Sequence, residues 1–544
     1  MVGGRPAAPF MASGSATLGL PYWEAAVYVT VVGAAFQHVL LSGVSLSREF
    51  EQGGARHGAL PGLVPGWILG HRMDLSDIQW RVFRESLPLV TLAMGAFTLG
   101  GNAVRKLRPT ALVPYYLIAS VLYIGYLHGL AALFPLSIAL LNFWLSSASA
   151  GKRYSPAAIW AWNCGILLLA RSLSGFSFQA MSAGLAPLDA YTGVQRWHVC
   201  FNLVALRCIS FSMDRHWAAA PPAPSASSAK APAIYQSLPL PEYTLGLYLA
   251  YVFYPPLYIA GPVMTFNAFA ANVASRARPP WKTTLLYVLR LGASLLVLEL
   301  MTHFLYFNAI AKHRVWAKRH RGGGGPAFRV TDVGITAFWV LNFMWLKFLV
   351  IWRFFRAAAL LDGIEPPENM LRCVNNNYDI EGFWRGWHAS FNRWLVRYLY
   401  VPLGGASRKL FTVWAVFTFV AAWHDVDWRM ISWAWLMCIF FAPELLAKWA
   451  AKQPWRRYEW VKSSSLFRHV AALGATCNIT MLMTVNMLGF VIGVDGAAEF
   501  LSLLWRSGPV FLASVFATFY SAAQIMFAIR FYKSRRSVAA LRVE

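Results

Sequence analysis

The sequence predicts an all-α, polytopic membrane protein with about ten to twelve spans and re-entrant or interfacial helices between them. Three observations carry this. Of 544 residues, 58% are hydrophobic and 13% charged, and the mean hydropathy is +0.46, whereas a soluble domain carries roughly a quarter charged residues. Several stretches exceed the ~18 apolar residues that cross a hydrocarbon core as helix. The net charge is +25, and the basic residues gather in short segments between apolar ones.

In chain order, apolar segments fall near 22–44, 83–101, 111–147 (two passes about Pro135), 156–177, 242–262, 283–310, 332–360, 408–424, 428–449, 467–493 and 507–531. No internal repeat is seen. Residues 1–21 are Gly/Ala/Pro-rich and expected to be disordered. They lack a compact basic–apolar–cleavage pattern, so the first apolar segment is expected to act as the membrane signal. Residues 45–81 read as a long polar loop. Residues 217–240 are Ala/Pro/Ser-rich and read as a flexible linker. Residues 312–327 are basic, then glycine-rich. With no strand-to-helix context, the four glycines read as a loop, not a phosphate cradle. One membrane domain over 22–535 is expected, with a tail at 536–544.

A pI near 10.1 in a soluble protein would suggest nucleic acid. Here Arg105–Arg108, Lys312–Arg321 and Arg530–Arg536 lie beside apolar segments, the pattern of cytosolic loops facing anionic lipid. No nucleic-acid partner is expected. Cys164, Cys200, Cys208, Cys373, Cys438 and Cys477 are scattered and mostly in apolar segments. They read as buried hydrophobes, neither a disulfide frame nor a metal site.

Two stretches break the apolar character. In "EGFWRGWHASFNRWLVRYLYVPLGG" (Glu381–Gly405), a continuous helix puts Trp384, Trp387, Phe391, Trp394 and Tyr398 on one face. Arg385, His388 and Asn392 share an adjoining face. This suits an interfacial helix with snorkelling arginines as well as a site. In "FTVWAVFTFVAAWHDVDWRMISWAWL" (Phe411–Leu436), His424 ends an apolar segment and is followed by Asp425 and Asp427. An ionisable group at membrane depth is a functional candidate, although a histidine at the edge can simply face water. A turn at Pro402–Gly405 would let the next helix bring His424 back beside His388, so that two histidines share one cavity.

These residues resemble the membrane-bound O-acyltransferase (MBOAT) family. The motifs are Phe383-Trp384-Arg385-Gly386-Trp387-His388, Tyr400-Val401-Pro402-Leu403-Gly404-Gly405, and Trp423-His424. The stretches "LRCISFSMD" (Leu206–Asp214), "YPPLYIAGPVMTFNAF" (Tyr254–Phe269) and "WRFFRAAALLDGIEPPENMLRC" (Trp352–Cys373) are similar to the glycerol uptake protein (Gup) branch, relatives of hedgehog acyltransferase. The resemblance covers roughly residues 190–500. Many members carry Asn, or Asp in hedgehog acyltransferase, where this chain has His388.

The resemblance implies helices around a membrane-buried acyl tunnel, acyl-CoA as co-substrate with no other cofactor, and His424 as the catalytic histidine supported by His388. Acyl-CoA would enter from the cytosol, and a lysolipid or glycosylphosphatidylinositol (GPI)-anchored lipid would be acylated from the lumen or bilayer. The sn-2 hydroxyl of a lyso-GPI anchor is the best substrate class, in the endoplasmic reticulum membrane, with Golgi or plasma membrane as alternatives. An imidazole, with pKa near 6.5, can take the hydroxyl proton as the C–O bond forms. Asn392 or His388 could orient it or donate to the oxyanion. Arg385 could bind CoA phosphates. Trp384, Trp387 and Trp394 could line the acyl path, and Trp423 and Asp425 flank His424. The rival readings are another lysophospholipid or protein acyltransferase, a glycerol or polyol transporter, and a dead regulator. The apolar segments hold few acidic residues suited to ion coupling apart from Glu299.

Overall fold

The computed structural model describes residues 20–51, 60–220, 237–275, 277–315, 329–425, 427–450, 465–493 and 496–540. The expected disordered stretch up to residue 19, linker residues 221–236, residues 316–327 of the basic–glycine stretch, and tail residues 541–544 lie outside the described residues.

The chain runs α1 (Tyr22–Glu51), β1 (Leu63–Pro65), β2 (Arg72–Asp74), α2 (Ile78–Leu107), α3 (Leu112–His128), α4 (Leu133–Ser149), α5 (Ser155–Ser172), α6 (Phe178–Met181) and α7 (Trp197–Ala219). It continues with α8 (Leu245–Val252), α9 (Pro255–Tyr258), α10 (Phe266–Ala274), α11 (Trp281–Phe304), α12 (Phe307–Lys312) and α13 (Val330–Leu361). The last part holds α14 (Ile380–Gly386), α15 (Ala389–Leu395), α16 (Lys409–His424), α17 (Trp428–Ala450), α18 (Ser465–Met487), α19 (Ala497–Arg506) and α20 (Gly508–Ala540).

Among the described residues, nine helices are long and apolar enough to cross a membrane. The expected ten to twelve passes included three segments that fall short of this. Helix α16 has only 16 residues, and the 18 residues of α5 include Asn163 and Arg171, which keep it too polar. The 242–262 segment breaks into α8 and α9 because Pro255 and Pro256 interrupt it. Pro256 has no N–H to offer the Val252 carbonyl. The buried Arg207 of α7 replaces it, donating from Nη1 to Val252 O at 2.6 Å and from Nη2 to the Leu257 carbonyl.

The 45–81 connection, expected as a polar loop, begins as helix, because α1 runs on to Glu51. Farther on it pairs β1 with β2 as an antiparallel hairpin. The Asp74 carboxylate closes this hairpin onto α12, accepting from Ala309 N at 2.9 Å. At the other end of the chain, α20 continues into the expected tail as far as Ala540.

The helix ends meet at two faces of the bundle. On one face, Arg105 at the end of α2 donates to Asp362 O after α13 (3.2 Å), Arg397 meets Asp214 near the end of α7, and Lys448 near the end of α17 meets Glu381. Lys106, Arg108, Lys152, Arg153, Arg408 and Lys409 follow from the same helix ends. On the opposite face lie the hairpin, the end of α5, the start of α7 and the end of α16. This corrects one expectation about the basic runs. Lys312 Nζ donates to Ser76 O at 3.1 Å, next to the start of α2, while Arg105–Arg108 stands at its far end. Lys312 and the Arg105–Arg108 run therefore cannot face the same compartment.

Candidate active site

The quoted stretch is not one helix. It breaks at Trp387–His388 into α14 and α15, and His388 adopts left-handed backbone, φ 44° and ψ 47°. A bulky residue there costs on the order of 1–3 kcal/mol and persists only where its surroundings fix it. The surroundings are visible. Ala389 N donates to Asn369 O (2.8 Å), Ser390 Oγ bonds the Asn369 side chain, and Val263 N donates to Ser390 Oγ (2.8 Å). The break turns the His388 ring inward. It is 9% exposed and stacks on Trp352 with centroids 4.4 Å apart. Phe391 lies at 5.0 Å and Trp423 at 6.1 Å. His388 Nε2 is buried with no hydrogen-bond partner.

After α15 the chain passes through one π-helical turn, Val396–Tyr400. It then reverses at Gly404 and Gly405, whose φ values of 107° and 54° are open to glycine. That is the turn expected at Pro402–Gly405. Helix α16 then carries His424 to the opposite face. Its imidazole is exposed and lies edge-on to Trp423, centroids 4.6 Å apart. Both histidine rings therefore neighbour Trp423. Burial, and then the nearby His424 ring, pushes the His388 imidazole down to about 3. His388 is thus neutral at physiological pH, and its bare nitrogen can accept or donate one hydrogen bond according to tautomer.

A family profile described as MBOAT, membrane-bound O-acyltransferase family, matches residues 154–484. The chain belongs to the membrane-bound O-acyltransferase family. It is 33% identical over 500 residues to the membrane-bound O-acyltransferase gup1 of Schizosaccharomyces pombe, covering 86% of this chain and 82% of that one. It is 34% identical over 502 residues to the membrane-bound O-acyltransferase GUP1 of Saccharomyces cerevisiae, covering 88% and 86%. The mouse protein-cysteine N-palmitoyltransferase HHAT is more distant, 24% identical over 477 residues, with 84% and 88% covered. The chain is thus a multi-pass membrane acyltransferase.

Within this O-acyltransferase, the other expected site residues divide into two groups. Trp394 (1% exposed) joins Phe391 and Trp423 in one aromatic cluster and donates from Nε1 to Leu206 O at 3.2 Å. Half-buried Asn392 sits one turn past His388, and its N–H bonds the His388 carbonyl at 3.0 Å. Asp425 is exposed and caps α16. Trp384 instead packs away from the histidines, against Phe417 and Trp433. Trp387 is split between Phe383 and Trp352. Exposed Arg385 pairs with Glu381, which also takes Lys448 Nζ at 2.8 Å. The continuous-helix projection put Arg385 and His388 on one face. The break separates them.

Sequence reasoning missed the residues that hold the end of α16. The last carbonyls of a helix lack intrahelical partners. Asn202 Nδ2 donates to Trp423 O at 2.6 Å, and Trp423 Nε1 returns a bond to Asn202 O at 3.0 Å. Arg171 Nη2 donates to His424 O at 3.0 Å. Asn202 belongs to a row on α7 at helical spacing: Asn202, Leu206, Ser210 and Asp214. Ser210 Oγ donates to Tyr398 Oη (2.7 Å), and Asp214 Oδ1 takes Arg397 Nη2 (2.9 Å) and Tyr398 Oη (3.0 Å). The four-residue spacing was legible in "LRCISFSMD", but its partners were not. Glu299, the acidic residue of the apolar segments, is bidentate with Arg84 at 2.7 and 3.0 Å. Among the described residues, no cluster of His, Cys, Asp and Glu could hold a metal ion.

Proposed function

We propose that the chain transfers a fatty acyl group from acyl-CoA to a lipid hydroxyl, with the sn-2 position of a lyso-GPI anchor as the best acceptor. The observation that carries this reading is the pairing of His388 and His424 across Trp423, with charged groups at both ends of α16. His424 is the general base. Its imidazole takes the acceptor proton as the oxygen attacks the thioester carbonyl. The neutral His388 holds a hydrogen bond to the reacting oxygen or to the acceptor. Collapse of the tetrahedral intermediate breaks the C–S bond, and the CoA thiolate leaves with the proton that His424 carried. Net, an alcohol and a thioester become an ester and a thiol.

Orientation follows the charge. The face holding Arg105, Lys106, Arg108, Lys152, Arg153, Arg408 and Lys409 is the cytosolic one by the positive-inside rule. Arg385 lies there and is suited to the donor phosphates. His424 lies at the opposite, luminal end, where an endoplasmic reticulum acceptor would arrive. The bidentate pairing of Glu299 with Arg84 leaves that carboxylate unsuited to ion coupling, which disfavours transport.

The test is an acceptor panel with purified protein and labelled acyl-CoA: lyso-GPI lipid, lysophosphatidylcholine, an N-terminal Cys peptide and glycerol. Label in the diacyl GPI product at the highest kcat/KM supports the reading. Preferential labelling of the peptide would replace it with protein acylation.

A further inference from the structure

The end of α5 meets the end of α16 at His424, and the start of α7 packs against that end of α5. Arg171 lies in the last turn of α5, His198 in the first turn of α7, and Arg196 is the residue that precedes α7. Helix α5 stops where Gly175 N returns to Ala170 O at 2.7 Å. Gly175 takes φ +97°, and a Cβ there would lie 2.5 Å from His198 Nδ1. The end of α5 is therefore pressed onto the His198 ring.

This corner holds an excess of positive donors. Arg171 uses Nη2 on the His424 carbonyl, while its Nε is buried with no partner. Among the described residues, no carboxylate forms a salt bridge with Arg171 or Arg196. The nearby Asp189 carboxylate is engaged by the Phe178 and Gln179 N–H groups, both at 2.8 Å. Asp425 is the acidic neighbour of His424 itself. Burial, then the Arg171 and Arg196 guanidiniums, hold the His198 imidazole below its ordinary value. Two guanidiniums held near one imidazole without a counter-ion are a site built for an anion.

We infer that Arg171, Arg196 and His198 bind the phosphate of the acceptor lipid and thereby place its free hydroxyl at His424. This inference rests on the reading of His424 as the base and narrows the acceptor to phosphate-bearing lysolipids over neutral glycerides and peptides.

The experiment compares lysophosphatidylinositol with monoacylglycerol of the same chain. Binding is read first, by tryptophan fluorescence of His424→Ala, since Trp197 and Trp423 flank the corner. The inference predicts at least tenfold tighter binding of lysophosphatidylinositol, with most of that preference lost in Arg196→Gln/His424→Ala. Turnover is read second. Arg196→Gln and His198→Gln should lower the ratio of kcat/KM for the two acceptors about tenfold, through KM for the phosphate-bearing one. Equal binding of both lipids, or an unchanged ratio in both variants, overturns the inference and leaves the acyltransferase reading standing. Preferential phosphate binding with no His424-dependent transfer overturns the assignment of His424 and retains only an anion site.

Discussion

The His388 imidazole lies flat on the Trp352 indole, with ring centroids 4.4 Å apart and planes at 18°. This contact joins the longest buried span, α13, to the break between α14 and α15. It fixes which way a ring on left-handed backbone points. Trp352→Ala removes the platform. We expect a stability loss of about 3 kcal/mol, the usual cost of truncating a buried aromatic, and a larger fall in kcat than in acceptor binding. Thermal unfolding in detergent and steady-state kinetics check both.

Position 388 also carries a backbone prediction. Asn tolerates left-handed φ, whereas a β-branched residue is strained there by about 1–2 kcal/mol. His388→Asn should fold and keep part of its activity. His388→Val should give less folded protein than His388→Ala, measured by monodisperse yield in size-exclusion chromatography.

Asn202 and Trp423 exchange two hydrogen bonds at 2.6 and 3.0 Å. A net ~1 kcal/mol per bond is typical. Asn202→Ala should lower kcat about five- to tenfold by letting the end of α16 move, with donor KM little changed. An equal loss in Asn202→Asp would show that the carboxamide donor, not the side-chain volume, matters.

Asp214 is fully buried and bonded to Arg397 and Tyr398. Removing one partner of a buried pair costs about 3–5 kcal/mol, while replacing both with apolar groups costs far less. Asp214→Leu should therefore be more damaging than the Asp214→Leu/Arg397→Met pair. Thermal unfolding of the three proteins decides it.

The helical membrane fold was legible because each apolar stretch states its own length requirement, which local sequence satisfies. The two candidate histidines stood out in the sequence through Trp-His at 423–424 and the motif ending at His388. The break at His388 was not, because a left-handed residue leaves no periodic mark and a 100° projection passes straight through it. Arg171 and Asn202 were invisible for a different reason. Their bonds go to backbone carbonyls of a helix more than 200 positions away, and no side-chain pattern encodes such a partner. Sequence placed the Lys312 run with the other basic loops, since charge alone does not tell which end of a span it follows.

The most direct test of the central claim uses membranes carrying wild type or His424→Ala at equal protein level. Labelled acyl-CoA and lyso-GPI lipid are supplied, and the label is followed into the diacyl product. The account predicts that wild type forms product and that His424→Ala loses it by at least a hundredfold, as expected for removing a general base. Product formation unchanged in His424→Ala would contradict it.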